Sequence, residues 1–394
     1  MKPRMLLFFL LYALMSCTHI KPSAPQLKPE SLLIKLDDLS YRAEILNRMQ
    51  IKNDSKMLVY ALKKAYGGRK FISKDKLRKV VDKIEGFNFP GLTPNEFCDL
   101  IGKALLELPD NHIHARYEGK LCGGKDFQAH GQVGENINAG KNSPWSISEK
   151  DGIKIISIVG MPSRKSKIWN GYTEALKKLR NKNIKAYIID LRGNDGGDDT
   201  RGHELSAYFF GQDAPSFEDK IIKSTTPETK AIRYNSKILR VYYLNKKGKS
   251  IPQYLKQDVS ELKAEFEIAV KNKDHPDKII KLNGPSYDAK KAIKKPIFIL
   301  IDKACASSCE SIIADFKGHP YAKLVGENSG GFVQFGNMGQ LLLKKSGVIV
   351  QMASDFWQYK DRKWREFVGF TPDIKIPKGT DAYKATLKLV ESSK

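Results

Sequence analysis

After Glu30, apolar residues recur at spacings of three and four, and farther along the chain they gather into short continuous runs. The first pattern predicts helices and the second buried strands. Leucines at helical spacing predict a helix over Ser31–Met49. Ser73 reads as the N-cap of a charged helix over Lys74–Ile84. Thr93-Pro-Asn-Glu96 reads as a capping box with proline at the first helical position, opening an amphipathic run to Leu106. These segments predict a helical domain over 30–108. Residues 109–151, rich in Gly, His and Asn, read as loop with short strands.

From Gly152 the pattern becomes α/β. Strands are expected at Ile153–Val159, Ala186–Leu191, Ile297–Asp302 and Leu324–Gly326. Helices are expected at Trp169–Asn181, Gly202–Phe210 and Ser308–Lys317, and a hairpin turns around Lys345–Gly347 between Leu341–Lys344 and Val348–Met352. This predicts an α/β core over 152–380 followed by a C-terminal helix or tail over 381–394. The lysine-rich stretch 213–294 interrupts the rhythm, with a strand expected at Ile238–Leu244 and a helix at Ser260–Asn272.

The length of 394 residues allows two or three domains, each large enough to bury a core. At the N-terminus, Lys2 and Arg4 precede an apolar run from Met5 to Met15 that is too short to span a bilayer. Leu14-Met-Ser-Cys17 resembles the lipobox of bacterial lipoproteins. The resemblance implies a signal peptide over 1–16, a lipidated Cys17 that anchors the chain to a membrane, and a proline-containing tether over 17–29. It places the protein in the bacterial cell envelope. The net charge is +24, and +22 without residues 1–16, which carry two basic residues and no acid. The lysines are spread among acids and accompany no nucleic-acid motif, so a solvated basic surface is expected rather than a nucleic-acid partner. Cys98, Cys122, Cys305 and Cys309 could form up to two disulfides in three pairings, or remain buried thiols.

Four segments carry candidate chemistry. In Ala304-Cys-Ala-Ser307-Ser-Cys-Glu310, a serine stands between a buried strand and a helix, where free N–H groups can hold a developing negative charge. Serine at that place is also an ordinary N-cap. Asp190-Leu-Arg-Gly-Asn-Asp-Gly-Gly197 is a strand entering a glycine-rich turn without the lysine of a phosphate-binding loop. Asp110-Asn-His112-Ile-His114 offers a general base, and no zinc set is completed around it. Glu366, in Arg365-Glu366-Phe-Val-Gly369-Phe-Thr-Pro-Asp373, could orient a histidine.

Together with Gly326-Glu-Asn-Ser-Gly-Gly331, these segments resemble, in order, the serine peptidases of the C-terminal processing (tail-specific) and tricorn-core family. The resemblance spans roughly residues 105–375. It implies an α/β fold with a spiral core of the crotonase/ClpP type, a peptide or protein substrate, and neither metal nor organic cofactor. Carried over to this chain, Ser307 is the nucleophile. The Ser/Lys branch places a lysine after the Gly-Glu segment, but none occurs from Asn328 to Gln340. The tricorn-like branch is implied instead, with His112 as base, His114 as its substitute and Glu366 as the orienting carboxylate. Asn111 stands where tricorn has a further serine. The N–H groups of Ser308 and of Gly196 or Gly197 would form the oxyanion hole. About forty residues separate His112 from the Ile153 strand, too few for the PDZ domain of many relatives, given ~100 residues in a typical domain.

Two alternatives accompany this reading. Ser73-Lys-Asp-Lys76, Tyr243-Leu-Asn245 and Lys345-Ser-Gly347 imitate the motifs of penicillin-binding enzymes, but such short patterns arise by chance. A catalytically inactive envelope lipoprotein on the same fold, binding peptides or polymers, is the non-enzymatic reading.

Overall fold

The structure is a computed structural model that describes residues 27–392 except 41–42, 126–142, 180–182, 273–274 and 378. The expected signal, Cys17 and most of the tether lie outside the described residues.

The leucine pattern near the start does not form one helix. Two 3-10 turns, Pro29–Leu32 and Leu36–Leu39, precede strand β1 (Leu46–Asn47) and helix α1 (Arg48–Lys64). The polar residues within the pattern explain the breaks. Asp38 accepts from the Lys35 N–H at 2.9 Å, and Asn47 accepts from the Gln50 N–H at 3.0 Å, so each opens a new turn. Helix α2 (Lys74–Glu85) is capped by Ser73, which accepts from the Lys76 N–H at 3.2 Å. Strand β2 (Gly91–Leu92) pairs with β1, and helix α3 (Pro94–Leu105) starts on the expected Thr93–Glu96 box.

Strands β3 (His114–Tyr117) and β4 (Lys120–Leu121) follow as a small hairpin. Beyond them come β5 (Trp145–Lys150), β6 (Ile153–Ile158), α4 (Tyr172–Lys177), β7 (Ala186–Asp190) and α5 (Thr200–Phe210). The lysine-rich stretch supplies β8 (Glu218–Lys223), α6 (Pro227–Lys246), α7 (Gln253–Lys271) and β9 (Lys278–Lys281). The expected strand at Ile238–Leu244 is therefore the second half of a helix. Thr226 caps that helix and Pro227 opens it, while Ala231, Ile232, Asn235 and Leu239 form a buried stripe at helical spacing. Packing on that stripe overrides the β-preference of Ile238, Val241 and the two tyrosines. The chain closes with β10 (Ile297–Ile301), α8 (Ser308–Phe316), β11 (Ala322–Gly326), β12 (Phe335–Leu342), β13 (Ile349–Tyr359), β14 (Ile374–Lys375) and α9 (Ala382–Ser392).

Two sheets organise these elements. The first has the order β14-β11-β10-β7-β6-β5, parallel except for the edge strand β5. Every residue of β7 and β10 is buried, as expected of central parallel strands covered on both faces. One face packs against α4, α5 and α8 through residues such as Tyr172, Phe209 and Ile312; the other packs against Tyr383 and Leu387 of α9. The second sheet, antiparallel, has the order β4-β3-β13-β8-β9, with β12 also paired to β13. It shares a continuous core with the N-terminal helices, in which Leu58, Phe97 and Ile101 join Phe335, Val350 and Met352. The Cys98–Cys122 disulfide fastens α3 to the chain beyond β4. No described helix is long and apolar enough to cross a membrane.

Candidate active site

Ser307 stands between β10 and α8, at the N-cap of the helix, with φ +57°. A non-glycine residue rarely holds that conformation, and the surroundings enforce it here. Asp302 receives the Ala304 and Cys305 N–H groups at 3.0 and 3.1 Å. The Ala306 N–H donates to the Asn194 carbonyl at 3.0 Å, and the Gly330 N–H to the Cys305 carbonyl at 2.8 Å. Behind the turn, the buried Glu310 accepts the Ser307 N–H at 3.1 Å. A disulfide joins Cys305 to Cys309 across Ser307. Of the pairings open at the sequence level, the structure forms the one that brackets the serine.

The glycine-rich turn after β7 lies against this serine. Gly196 has φ +92°, and a Cβ placed there would lie 2.6 Å from the Ala306 carbonyl and 2.9 Å from the Ser308 nitrogen. Only glycine permits that approach. The choice between Gly196 and Gly197 narrows, because the Gly196 N–H already donates to Asn194 Oδ1 at 2.9 Å. The N–H groups of Gly197 and Ser308 have no partner among the described residues, while the Ser308 hydroxyl donates to the Gly197 carbonyl at 2.7 Å. The Asp-Leu-Arg part of the motif is architectural. Buried Arg192 makes a two-pronged contact with Asp190 at 2.8 and 2.7 Å and reaches Asp381, before α9, at 2.9 Å.

His112 lies two residues before β3 of the other sheet, yet it lines the same cleft as Ser307. Asp110 shapes its loop by accepting the His112 N–H at 2.8 Å and the Ile113 N–H at 3.2 Å, and Tyr66 from the helical region donates to its other oxygen at 2.9 Å. The Lys125 ammonium donates to the Asn111 and Ile113 carbonyls on either side of the histidine, at 2.5 and 2.8 Å. Phe332 meets the imidazole edge-on at 5.0 Å. Burial, aided by the Lys125 charge, pushes His112 down to about 3, so the ring is neutral near pH 7. His114 is held differently, with Nδ1 against the His112 carbonyl at 2.9 Å, and burial lowers it to about 4.

Glu366 is buried below His112. Arg365 holds its loop by pairing with Asp361 and lying over Phe217, Tyr359 and Phe370, 4.7–5.3 Å from the ring centres. Glu366 accepts from the N–H groups of Asn111 at 2.8 Å, Val333 at 2.8 Å and Gln334 at 2.6 Å. One carboxylate oxygen of Glu366, one of Asp110 and one ring nitrogen of His112 lie within 4.8 Å of one another. Nδ1 of His112 is buried and makes no hydrogen bond, so Glu366 stands near the imidazole without contacting it as a hydrogen-bond acceptor. Burial and the Asp110 charge hold Glu366 above the usual carboxylate range, and burial raises Asp110 as well. Asp110, His112 and Glu366 are near enough to share a cation. However, both carboxylates are already surrounded by N–H and O–H donors with Lys125 beside them, which suits a held negative charge better than a metal.

A feature absent from the sequence reading links the two halves. The segment between β11 and β12 presents four consecutive N–H groups to two buried glutamates. Glu310 takes those of Gly331 and Phe332 at 2.9 and 2.7 Å, and Glu366 takes those of Val333 and Gln334. Ser329 adds its hydroxyl to Glu310. Asn111, where the tricorn-like pattern has serine, spans the join by donating Nδ2 to the Gly331 carbonyl at 3.1 Å. The sequence motifs contained Glu310 and Asp110 but did not show what they hold. Tyr66 and Lys125 carried no signal, because their partners are distant in the chain or are backbone atoms.

The arrangement can support acyl transfer: a strained serine at a helix start, two unpartnered N–H groups beside it and a neutral imidazole in the same cleft. Comparisons with known proteins identify the family and the fold. The family model described as Peptidase family S41 matches residues 154–376. No curated protein matches the chain. Among solved structures, a putative peptidase from Parabacteroides merdae ATCC 43184 is similar at 14% identity, with 86% of this chain and 96% of that one covered and a TM-score of 0.52. Mature CPAF in complex with lactacystin is similar at 11% identity, with 88% and 98% covered and a TM-score of 0.52. At such identities the likeness shows a common fold, here the mixed α/β fold of these peptidases. The family match extends over more than half of the sequence, and the chain belongs to peptidase family S41.

Proposed function

We propose that this protein is a serine peptidase of the bacterial cell envelope that cleaves peptide bonds through an acyl-enzyme on Ser307. His112 removes the proton from Ser307 Oγ as the oxygen attacks the peptide carbonyl. The N–H groups of Ser308 and Gly197 hold the oxyanion, and His112 returns the proton to the leaving amine. Water then attacks the ester by the same route and releases the second product. Glu366 orients the imidazole, which requires a small approach to His112 Nδ1 when substrate fills the cleft; catalytic hydrogen bonds are often long before substrate binds. The reading includes export and anchoring through Cys17.

The observation that carries this proposal is the forced φ of Ser307 beside two uncommitted N–H groups, in one cleft with a neutral His112. Hydrolysis of a mixed-sequence peptide library, followed by mass spectrometry, tests it. The wild-type chain is expected to generate new termini, and Ser307→Ala is expected to generate none. Equal cleavage by both would overturn the assignment. Absence of cleavage by either would favour a binding protein on a peptidase fold.

A further inference from the structure

The cleft around Ser307 encloses about 680 Å³, and its roof comes from the lysine-rich segment. Arg233, Ser236 and Lys237 of α6, one helical face at spacings of three and four, line it together with Leu262 of α7. Asp258 of α7 pairs with Lys237 at 3.0 Å and with Lys165, in the loop after β6, at 3.1 Å, and so ties α6 and α7 to that loop.

Most charges lining this cleft are already neutralised or hydrogen-bonded. Lys237 pairs with Asp258. Asp198 accepts from the Arg164 N–H at 2.8 Å and from the Thr200 hydroxyl at 2.7 Å, and Asp199 lies 3.5 Å from His203. Two charges have no partner among the described residues, Asp195 and Arg233. Asp195 is exposed, where water screens it, whereas Arg233 is half-buried. The planar fork of a guanidinium matches a carboxylate, and Arg233 lines the cleft with that fork uncommitted among the described residues.

We infer that Arg233 is a specificity residue of the cleft that binds a carboxylate of the peptide substrate, either its C-terminus or an Asp or Glu side chain. The inference rests on the peptidase reading of the cleft and names the substrate class that the site prefers. Two kinds of polar wall face the bound peptide: backbone N–H groups at the reacting carbonyl and one unpaired cation in the roof. The first accepts any sequence, and the second discriminates.

The test is equilibrium binding of short mixed-sequence peptide pools to the Ser307→Ala chain. One pair of pools differs only in a terminal carboxylate or carboxamide. A second pair, amidated throughout, differs in a fixed Asp or Asn. At least one acidic pool should bind about tenfold more tightly than its neutral counterpart, the size expected of a charge-assisted hydrogen bond. The pair that shows the difference identifies the source of the carboxylate. Adding Arg233→Met should erase the preference, Arg233→Lys should keep part of it, and Asp195→Asn should leave it in place. No preference in the Arg233-containing chain, absence of binding included, or the same preference after Arg233→Met would overturn the inference. Fluorophosphonate labelling of the wild-type chain separates the two claims. A carboxylate preference without labelling would retain the Arg233 site and reject the nucleophile.

Discussion

Two glutamates that share a run of four N–H groups set the active geometry at the scale of single residues. Glu310 fixes the serine side and Glu366 the histidine side, through Gly331–Gln334. Burial, and after it the negative charge of Asp110, raises the proton affinity of Glu366. An ionised Glu366 is the form that can orient His112, so activity should rise with pH as Glu366 loses its proton. His112, pushed down to about 3, contributes no limb nearer neutrality. Asp110→Asn preserves the acceptor for the His112 and Ile113 N–H groups while removing the charge. The acid limb of kcat/KM should therefore move to lower pH, and an unmoved or raised limb in the pH profile would contradict the coupling. Gly196→Ala tests the close approach to Ser307. Its Cβ would meet the Ala306 carbonyl at 2.6 Å in a φ that alanine resists, so fluorophosphonate labelling should slow about tenfold or more while circular dichroism stays unchanged. The candidate residues were legible because Ser307, His112 and Glu366 sit in ordered motifs. Lys125 was not legible, since its work is a contact between one ammonium and two backbone carbonyls.

Among the elements, the two disulfides do different work. Cys98–Cys122 closes a separation of 24 residues between α3 and the chain after β4, whereas Cys305–Cys309 closes a separation of four around Ser307. Loop entropy assigns about 3 kcal/mol to the first and about 2 kcal/mol to the second. Cys98→Ser with Cys122→Ser should lower Tm more and leave the labelling rate near wild type. Cys305→Ser with Cys309→Ser should slow labelling although it costs less stability. The reverse pattern, read by calorimetry and labelling kinetics, would refute this division. Sequence alone allowed three pairings, because nothing in cysteine spacing shows which chain segments meet. The helix caps at Ser73 and Thr93 were legible for the opposite reason, since each is complete within four residues. Helix α6 was misread in its second half because its buried stripe faces β12, a partner about a hundred residues away.

Across the whole molecule, the serine follows a strand of the parallel sheet and the histidine precedes one of the antiparallel sheet, and the proposed chemistry depends on how the two sheets meet. The parallel sheet was largely readable from continuous apolar strands at 186–191 and 297–302. The second sheet was not, because it gathers strands from 114, 218, 278, 335 and 349 onward into one surface that no local pattern announces. The basic charge and the N-terminal segment belong to this scale too. If Cys17 carries lipid, Cys17→Ser should move the protein from the membrane fraction to the soluble fraction on cell fractionation, and an unchanged distribution would reject the anchor. Bringing one residue from each sheet into a working pair is the central claim, and a fluorophosphonate adduct mapped by mass spectrometry tests it most directly. The account predicts a single adduct on the peptide containing Ser307, absent in Ser307→Ala and nearly absent in His112→Ala. An adduct elsewhere, or undiminished labelling of Ser307 in His112→Ala, would contradict it.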